Sequence, residues 1–368
     1  MSDPLVAVIG AGPAGATAAL ALARLGIAAL LVEPGQHRPP VGETLPPSAR
    51  PLLDRLGLRD VVEREGFLPS VGNWSAWGHA EPWGRDFLFD WHGHGWHLDR
   101  RRFDALLRRA AAAAGAELRR GTALAHAAPC AGGGFHLRFT GGAGGGVTVP
   151  LVIDASGRAA CFARALGIRR RAIDRLVGIA GYVVRRHDAP EEPAATLVEA
   201  METGWWYSAP LPQARLAAVF MTDADLARDG VTRIGVWLDR LAAAPVTGAR
   251  AARYGAGLAG LPVVVPASSA RLECTGGPDW LAVGDASCTY DPLASQGLVA
   301  AMQSGLAAAA ACVERLGGRP DALVDTAERQ SQAWHDYVVE RTKYYGQERR
   351  WPLAAFWQRR HVREKQAA

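Results

Sequence analysis

Near its start the chain runs Val6-Ala7-Val8-Ile9 directly into Gly10-Ala11-Gly12-Pro13-Ala14-Gly15. An apolar strand that enters a GxGxxG turn and leaves as a helix is the first half of a βαβ unit. Gly10 permits the tight turn, Gly12 lets the backbone approach a pyrophosphate, and Gly15 lets helix and strand pack closely. Pro13 and Ala14 open a helix that the apolar pattern carries to Leu25. Its N-terminus offers free N–H groups and a positive dipole end to phosphate. The next apolar run, Ile27 to Val32, closes on Glu33, placed to accept hydrogen bonds from a ribose diol. The fold class is read as α/β with a dinucleotide-binding unit; a glycine-rich turn in another α/β fold is the alternative.

A second anchor stands far down the chain. Trp280-Leu281-Ala282-Val283 ends in Gly284-Asp285, and Asp291-Pro292-Leu293-Ala294-Ser295-Gln296-Gly297-Leu298 then opens a long Ala-rich helix. The Asp285 carboxylate, where the chain turns, suits ribityl hydroxyls. A helix starting at Gly297 can aim its positive end at the N1–C2=O edge of a flavin, which becomes anionic on reduction. Nicotinamide alone needs no such second site, so FAD is the expected cofactor. Between the anchors, Leu151-Val152-Ile153-Asp154-Ala155-Ser156-Gly157-Arg158 resembles the middle fingerprint of flavin monooxygenases, which implies Asp154 and Gly157 near the pyrophosphate. Asp99-Arg100 with Phe103, Asp104 and Leu107 resembles the arginine-bearing helix start that contacts FAD in the same superfamily. Gln296, Leu298 and Leu124 are counted with these cofactor contacts. The expected architecture is a Rossmann-like FAD-binding domain (residues 1–69, 98–174 and 265–318), an inserted antiparallel-sheet substrate domain (70–97 and 175–264), and C-terminal helices (319–368).

Composition narrows the partners. The 368 residues can bury a large core, and 49% hydrophobic with 21% charged is a globular balance. The net charge of +5 rests on dispersed arginines, since lysine occurs only at Lys343 and Lys365, so no nucleic-acid patch is expected. Five cysteines without a close pair point to a reduced, cytoplasmic setting. The apolar run near Leu306 to Val313 is too short to suggest a membrane span, and a monomer or homodimer is expected. His92, His94 and His97 lack a neighbouring carboxylate or cysteine in a metal-ligand spacing, so no metal is expected.

Local patterning predicts strands at Asn73–Trp77, Phe87–Phe89 and Gly95–Leu98, a helix over Arg100–Ala114, and a meander of Phe135–Thr140 with Val147–Ile153. Strands over Tyr182–Val184, Ala195–Met201, Trp205–Ala209 and Ala217–Phe220 would form the substrate sheet. Helices follow near Thr232–Ala243, Leu298–Leu316 and Ala322–Tyr345. The tail Trp351–Arg363 reads as an amphipathic cap or as a contact surface for a partner.

The segments Val41-Gly42-Glu43-Thr44-Leu45-Pro46-Pro47, Asn73-Trp74-Ser75-Ala76-Trp77 and Gly95-Trp96-His97-Leu98-Asp99-Arg100 together resemble the flavoprotein maturases of oxidases that carry cysteine tryptophylquinone. That family lies within the FAD-dependent monooxygenase and tryptophan halogenase-like superfamily. The resemblance implies hydroxylation of a tryptophan on a partner protein, an oxidase precursor, through a flavin C4a-hydroperoxide. It also implies NAD(P)H as electron donor, directly or through a reductase. The candidate catalytic residues are Glu43, His97, Trp205 and Pro292. Glu43 either orients substrate or flavin or caps the helix after Pro47. Trp74, Trp77, Trp96, Trp205, Trp206 and Tyr207 either line an aromatic pocket or fill a core.

Gly204-Trp205-Trp206-Tyr207-Ser208-Ala209-Pro210 also resembles the Trp-x-Trp-x-Ile-Pro box of halogenases, with Tyr207 and Ala209 as departures. The resemblance to halogenases implies a lysine between flavin and substrate and Ser-Thr-Gly at the halide turn. This chain has no lysine before Lys343 and reads Ser295-Gln296-Gly297, so halogenation is not expected. The alternatives carried are a hydroxylase of a free aromatic metabolite, a halogenase, and a chaperone without turnover.

Overall fold

The computed structural model describes residues 3–35, 43–142, 144–190, 193–227 and 230–361. Its helices are α1 (Pro13–Arg24), α2 (Arg50–Arg55), α3 (Arg59–Arg64), α4 (Arg100–Ala113), α5 (Cys161–Ala165), α6 (Ile234–Ala242), α7 (Pro245–Tyr254), α8 (Gly297–Leu316), α9 (Ala322–Gln347) and α10 (Ala355–His361).

The strand Val6–Ile9 is flanked in parallel by Leu151–Asp154 and Ala29–Glu33, with Glu117–Arg120 and Trp280–Ala282 outside them. The first four apolar residues are fully or almost fully buried because both faces of this parallel sheet are covered. α1 and α4 share one face with α8; α4 turns Phe103, Leu106, Leu107 and Ala111 inward at helical spacing. Asp99 starts α4 by accepting from the N–H groups of Arg101 and Arg102. Among the described residues α8 is the one helix long and apolar enough to cross a membrane, with mean hydropathy 1.4. Here it packs on α1 so closely that a Cβ at Gly305 would lie 2.3 Å from the Ala14 carbonyl oxygen.

Two expectations about strands are corrected. Val147–Ile153 is two strands: Gly146–Val149 belongs to the meander and Leu151–Asp154 to the central sheet. Pro150 separates them, since it has no N–H to continue a ladder. Phe87–Phe89 is a 3₁₀ turn capped by Asp86, and the strand there is Trp83–Asp86.

The second large sheet runs in the order Gly255–Leu258, Leu176–Arg185, Arg215–Asp223, Gly204–Leu211, Ala195–Met201, Gly72–Ala76, Trp83–Asp86, with Val263–Pro266 also on Leu176–Arg185. It is antiparallel except where Ala195–Met201 meets Gly72–Ala76. Val263–Pro266 carries it past the expected limit at residue 264, while Gly95–Leu98 pairs instead with Glu43–Leu45 and Leu68–Ser70. Strand alternation divides its aromatics. Trp205 and Tyr207 meet Trp77, Tyr345 and Trp357 on one face, and Trp206 meets Phe220 and Trp237 on the other. Gly181 leaves room for Trp237, whose ring would lie 2.6 Å from a Cβ at that position. On the first face α10 buries Phe356 and Trp357, so the described part of the tail is a cap.

Candidate functional site

The glycine motifs from three distant parts of the chain converge at the start of α1. Gly10 has φ +109, and a Cβ there would lie 2.3 Å from the Ala155 carbonyl oxygen; one at Gly15 would lie 1.9 Å from that of Gly10. Gly284, at φ +55, sits against the Ala14 methyl, and its N–H donates to Ser304 of α8. A Cβ at Gly12 or Gly297, by contrast, would meet nothing within 4 Å. These two face open space beside the N-termini of α1 and α8, and neither end has a side-chain cap. Uncapped N–H groups beside space that a Cβ would enter are what a pyrophosphate and a flavin edge require. Pro13 and Ala14 are buried at the first of these ends; Gln296 and Gly297 are exposed at the second, with Leu298 buried behind them.

Glu33 lines an open cleft of about 520 Å³ with Gly35, Ala105, Arg108, Arg109 and Arg120. Its carboxylate lies 3.3 Å from Arg108, a partner that sequence reading missed because Arg108 is one of several arginines on α4. Arg100 begins α4 and donates to Asp104 at 2.7 Å. Asp285 is half-exposed, 3.7 Å from Arg158, and its backbone carbonyl accepts from Arg170. Gly157 takes the left-handed φ of +66 just before Arg158. Leu124 packs against the core beneath the meander. Pro292 opens a 3₁₀ turn, Pro292–Ala294, that precedes α8.

Asp154 pairs with Ile9 beside the Gly10 turn and acts there as a structural cap. It is fully buried, and its carboxylate accepts from the Ser156 N–H and hydroxyl and from the N–H groups of Phe162 and Ala163. Burial raises its pKa, against the pull of those four donors. Trp205, expected as a catalytic residue, is corrected to a core residue. It has no exposure, its indole N–H donates to Tyr345 Oη at 3.1 Å, and its ring belongs to the core. Trp77 is likewise packed there, 5.3 Å from Trp357 between ring centroids. Trp96 is buried beneath Arg50, and Trp74 lies half-exposed over Gly84.

His97 is sealed rather than set in a cleft. Its Nε2–H donates to the Ala194 carbonyl at 2.8 Å, which leaves Nδ1 to accept from the Thr44 hydroxyl at 3.0 Å. Thr44 also meets Tyr207 Oη at 3.0 Å and Thr196 Oγ1 at 3.2 Å. Burial pushes the His97 pKa down to about 4, with the Ala194 carbonyl opposing and Arg250 adding to the shift. This network joins the strand after the Gly-Glu loop to the second sheet. Its Thr44 and Tyr207 members carried no sequence signal beyond their place in the quoted segments. Val41, Gly42 and the side chain of Glu43 lie outside the described residues. Among the described residues no three His, Cys, Asp or Glu side chains are grouped to hold a metal.

A family model described as tryptophan halogenase matches residues 85–367, and one described as glucose inhibited division protein A matches residues 5–48. The putative FAD-dependent oxidoreductase LodB of Marinomonas mediterranea is 30% identical over 370 residues, covering 96% of each chain. Further relatives, 25–32% identical, are described as halogenases or a chlorinase, and the chain spans 32–68% of their lengths. The flavin-dependent halogenase CmlS superimposes with TM-score 0.85 at 26% identity, over 100% of this chain and 70% of that one. The peptidyl tryptophan dihydroxylase QhpG, essential for tryptophylquinone cofactor biogenesis, shares the fold with TM-score 0.76 at 24% identity, over 98% and 79%.

Proposed function

This chain belongs to the tryptophan halogenase family of FAD-dependent oxidoreductases, and from that premise we propose that it binds FAD between α1 and α8 and oxygenates a tryptophan side chain of a partner protein. The observation that carries the cofactor is the meeting of Gly10, Gly284 and Gly305 around the first turn of α1, with open space left at Gly12 and Gly297. When bound, the reduced flavin supplies an electrophilic oxygen drawn from dioxygen, and an indole is electron-rich enough to attack it. One oxygen atom enters the ring and the other leaves as water. The two electrons come from NAD(P)H, directly or through a reductase.

The chain's own residues bind, orient and exclude water. Backbone N–H groups at the start of α1 hold the pyrophosphate, Glu33 the ribose diol and Asp285 the ribityl hydroxyls. The start of α8, uncapped and open at Gly297, would hold the pyrimidine edge of the ring system. The sealed His97–Thr44–Tyr207 network ties this side to the second sheet, and the packed aromatics behind it keep bulk water out.

Oxygenation is favoured over halogenation because Lys343, the only lysine among the described residues, is an exposed partner of Glu340 on α9 and leaves no interior amine. A protein substrate is favoured by the apolar run beside the sheet edge, where Trp83, Leu88, Phe89 and Trp91 are 70–96% exposed. The likeness to LodB and QhpG supports the same reading. The second reading, halogenation, rests on the family match itself.

The test incubates the protein with FAD, NAD(P)H, a flavin reductase, oxygen and bromide, together with a tryptophan-bearing oxidase precursor, free tryptophan and a simple phenol. A gain of one or two oxygens on one tryptophan of the precursor supports the proposal. A product with the bromine isotope pattern, or oxygenation confined to the small molecules, overturns it.

A further inference from the structure

We propose that Asp291 is a positioning residue for the flavin, gripped by one face of α9 so that the turn opening α8 is held in place. The proposal rests on the FAD reading above. Asp291 is 3% exposed. Its backbone N–H donates to Tyr337 Oη at 2.7 Å. Its Oδ1 accepts from the Leu293 N–H at 3.0 Å, and its Oδ2 accepts from Arg341 Nε at 3.1 Å and from the Tyr345 hydroxyl at 2.8 Å. Tyr337, Arg341 and Tyr345 are four residues apart and so stand on one face of the helix.

The grip extends to both sides of the molecule. Arg341 also donates to Asp174 at 3.0 Å, where the second sheet begins, and Tyr345 Oη receives the indole N–H of Trp205. Tyr337 Oη also shares a hydrogen bond with the Ser269 hydroxyl at 2.7 Å. The carboxylate, the guanidinium and Asp174 are all nearly enclosed, with side-chain exposures of 1%, 7% and 10%. Burying such an array is costly, and apolar residues of like volume would hold helix and sheet together as well. What ions add is a fixed geometry, and they converge on a place where geometry matters. Asp291 caps the Pro292–Ala294 turn, Ser295 follows at the left-handed φ of 49, and Gln296 is the N-cap of α8. Slack at Asp291 is therefore passed to the N-terminus of α8 within six residues.

A helix end stabilises an anion only over its first turn, so a small displacement there weakens its hold on reduced flavin more than on oxidised flavin. Two variants test this, each compared with the unsubstituted holoprotein by FAD dissociation constant, flavin reduction potential and melting of the apoprotein. Asp291→Asn keeps the shape and the Leu293 contact but removes the charge facing Arg341. Tyr345→Phe keeps the ring in the aromatic core and removes one donor to Asp291. The expected result is FAD binding weaker by roughly tenfold in Asp291→Asn, a more negative potential in both variants, and a smaller change in Tyr345→Phe. If Asp291→Asn does not fold, the Tyr345→Phe potential decides. Unchanged affinity and potential with a lower melting temperature would show that α9 only braces the fold, and the proposal would be overturned. Failure of the unsubstituted protein to bind FAD would instead refute the flavin reading, and this proposal with it.

Discussion

His97 offers a stability change that can be worked out from its surroundings. Its imidazole has no exposure and is held neutral by one donor contact to Ala194 and one acceptor contact from Thr44. Burial lowers its pKa to about 4, against 6.5 in an unfolded chain. Between those two values the unfolded form carries a proton that the folded form does not, so folding stability rises with pH across the window. The contribution is complete above the unfolded pKa and is lost as pH falls toward the folded one. Lowering the pH from about 7.5 to about 5 should remove roughly 2 kcal/mol through this residue. Other groups titrate over the same interval, so the measurement is a difference of differences. Urea unfolding of the wild type and of His97→Gln, at both pH values, isolates the imidazole. The wild type should lose about 2 kcal/mol more than the variant over that interval. Equal losses would mean that the ring reaches solvent or titrates near its ordinary value, and the sealed network joining Thr44, Tyr207 and Thr196 would have to be abandoned.

Two further outcomes bear on the cofactor. Gly12→Ala places a methyl in open space at an ordinary φ of −74, so the apoprotein should melt like the wild type while FAD affinity falls; Gly15→Ala drives a methyl to 1.9 Å from a carbonyl oxygen and should destabilise the apoprotein itself. Comparing apo melts with FAD titrations checks both, and matching behaviour of the two variants would contradict the assigned cradle. Asp285→Ala should weaken FAD binding by about 10- to 100-fold, the equivalent of about 1.5–3 kcal/mol for charged hydrogen bonds, without lowering the melting temperature of the apoprotein. Equilibrium dialysis of FAD reads this directly, and unchanged affinity would remove Asp285 from the ribityl contacts.

The sequence alone determined the parts of this protein that depend on local rules. Glycine is required where φ is positive or a Cβ has no room, so Gly10, Gly15 and Gly284 marked the close backbone approaches around the start of α1 before any fold was known. Apolar periodicity likewise placed α1, α4, α8 and α9 to within a few residues. Strand alternation sends Trp205 and Trp206 to opposite sides of the sheet, a split that grouping both as candidates for one pocket did not use. Only the tertiary structure decided what each polar side chain does. Asp154 lies on a fingerprint that resembles a phosphate contact, yet its four donors come from its own chain across nine residues. Thr44 and Tyr207 meet across 163 positions, and Asp291 meets Tyr345 across 54. Such pairings carry no period or spacing that a linear chain displays. They follow from which strands become neighbours, and that is settled by the packing of the whole core rather than by the residues that finally touch.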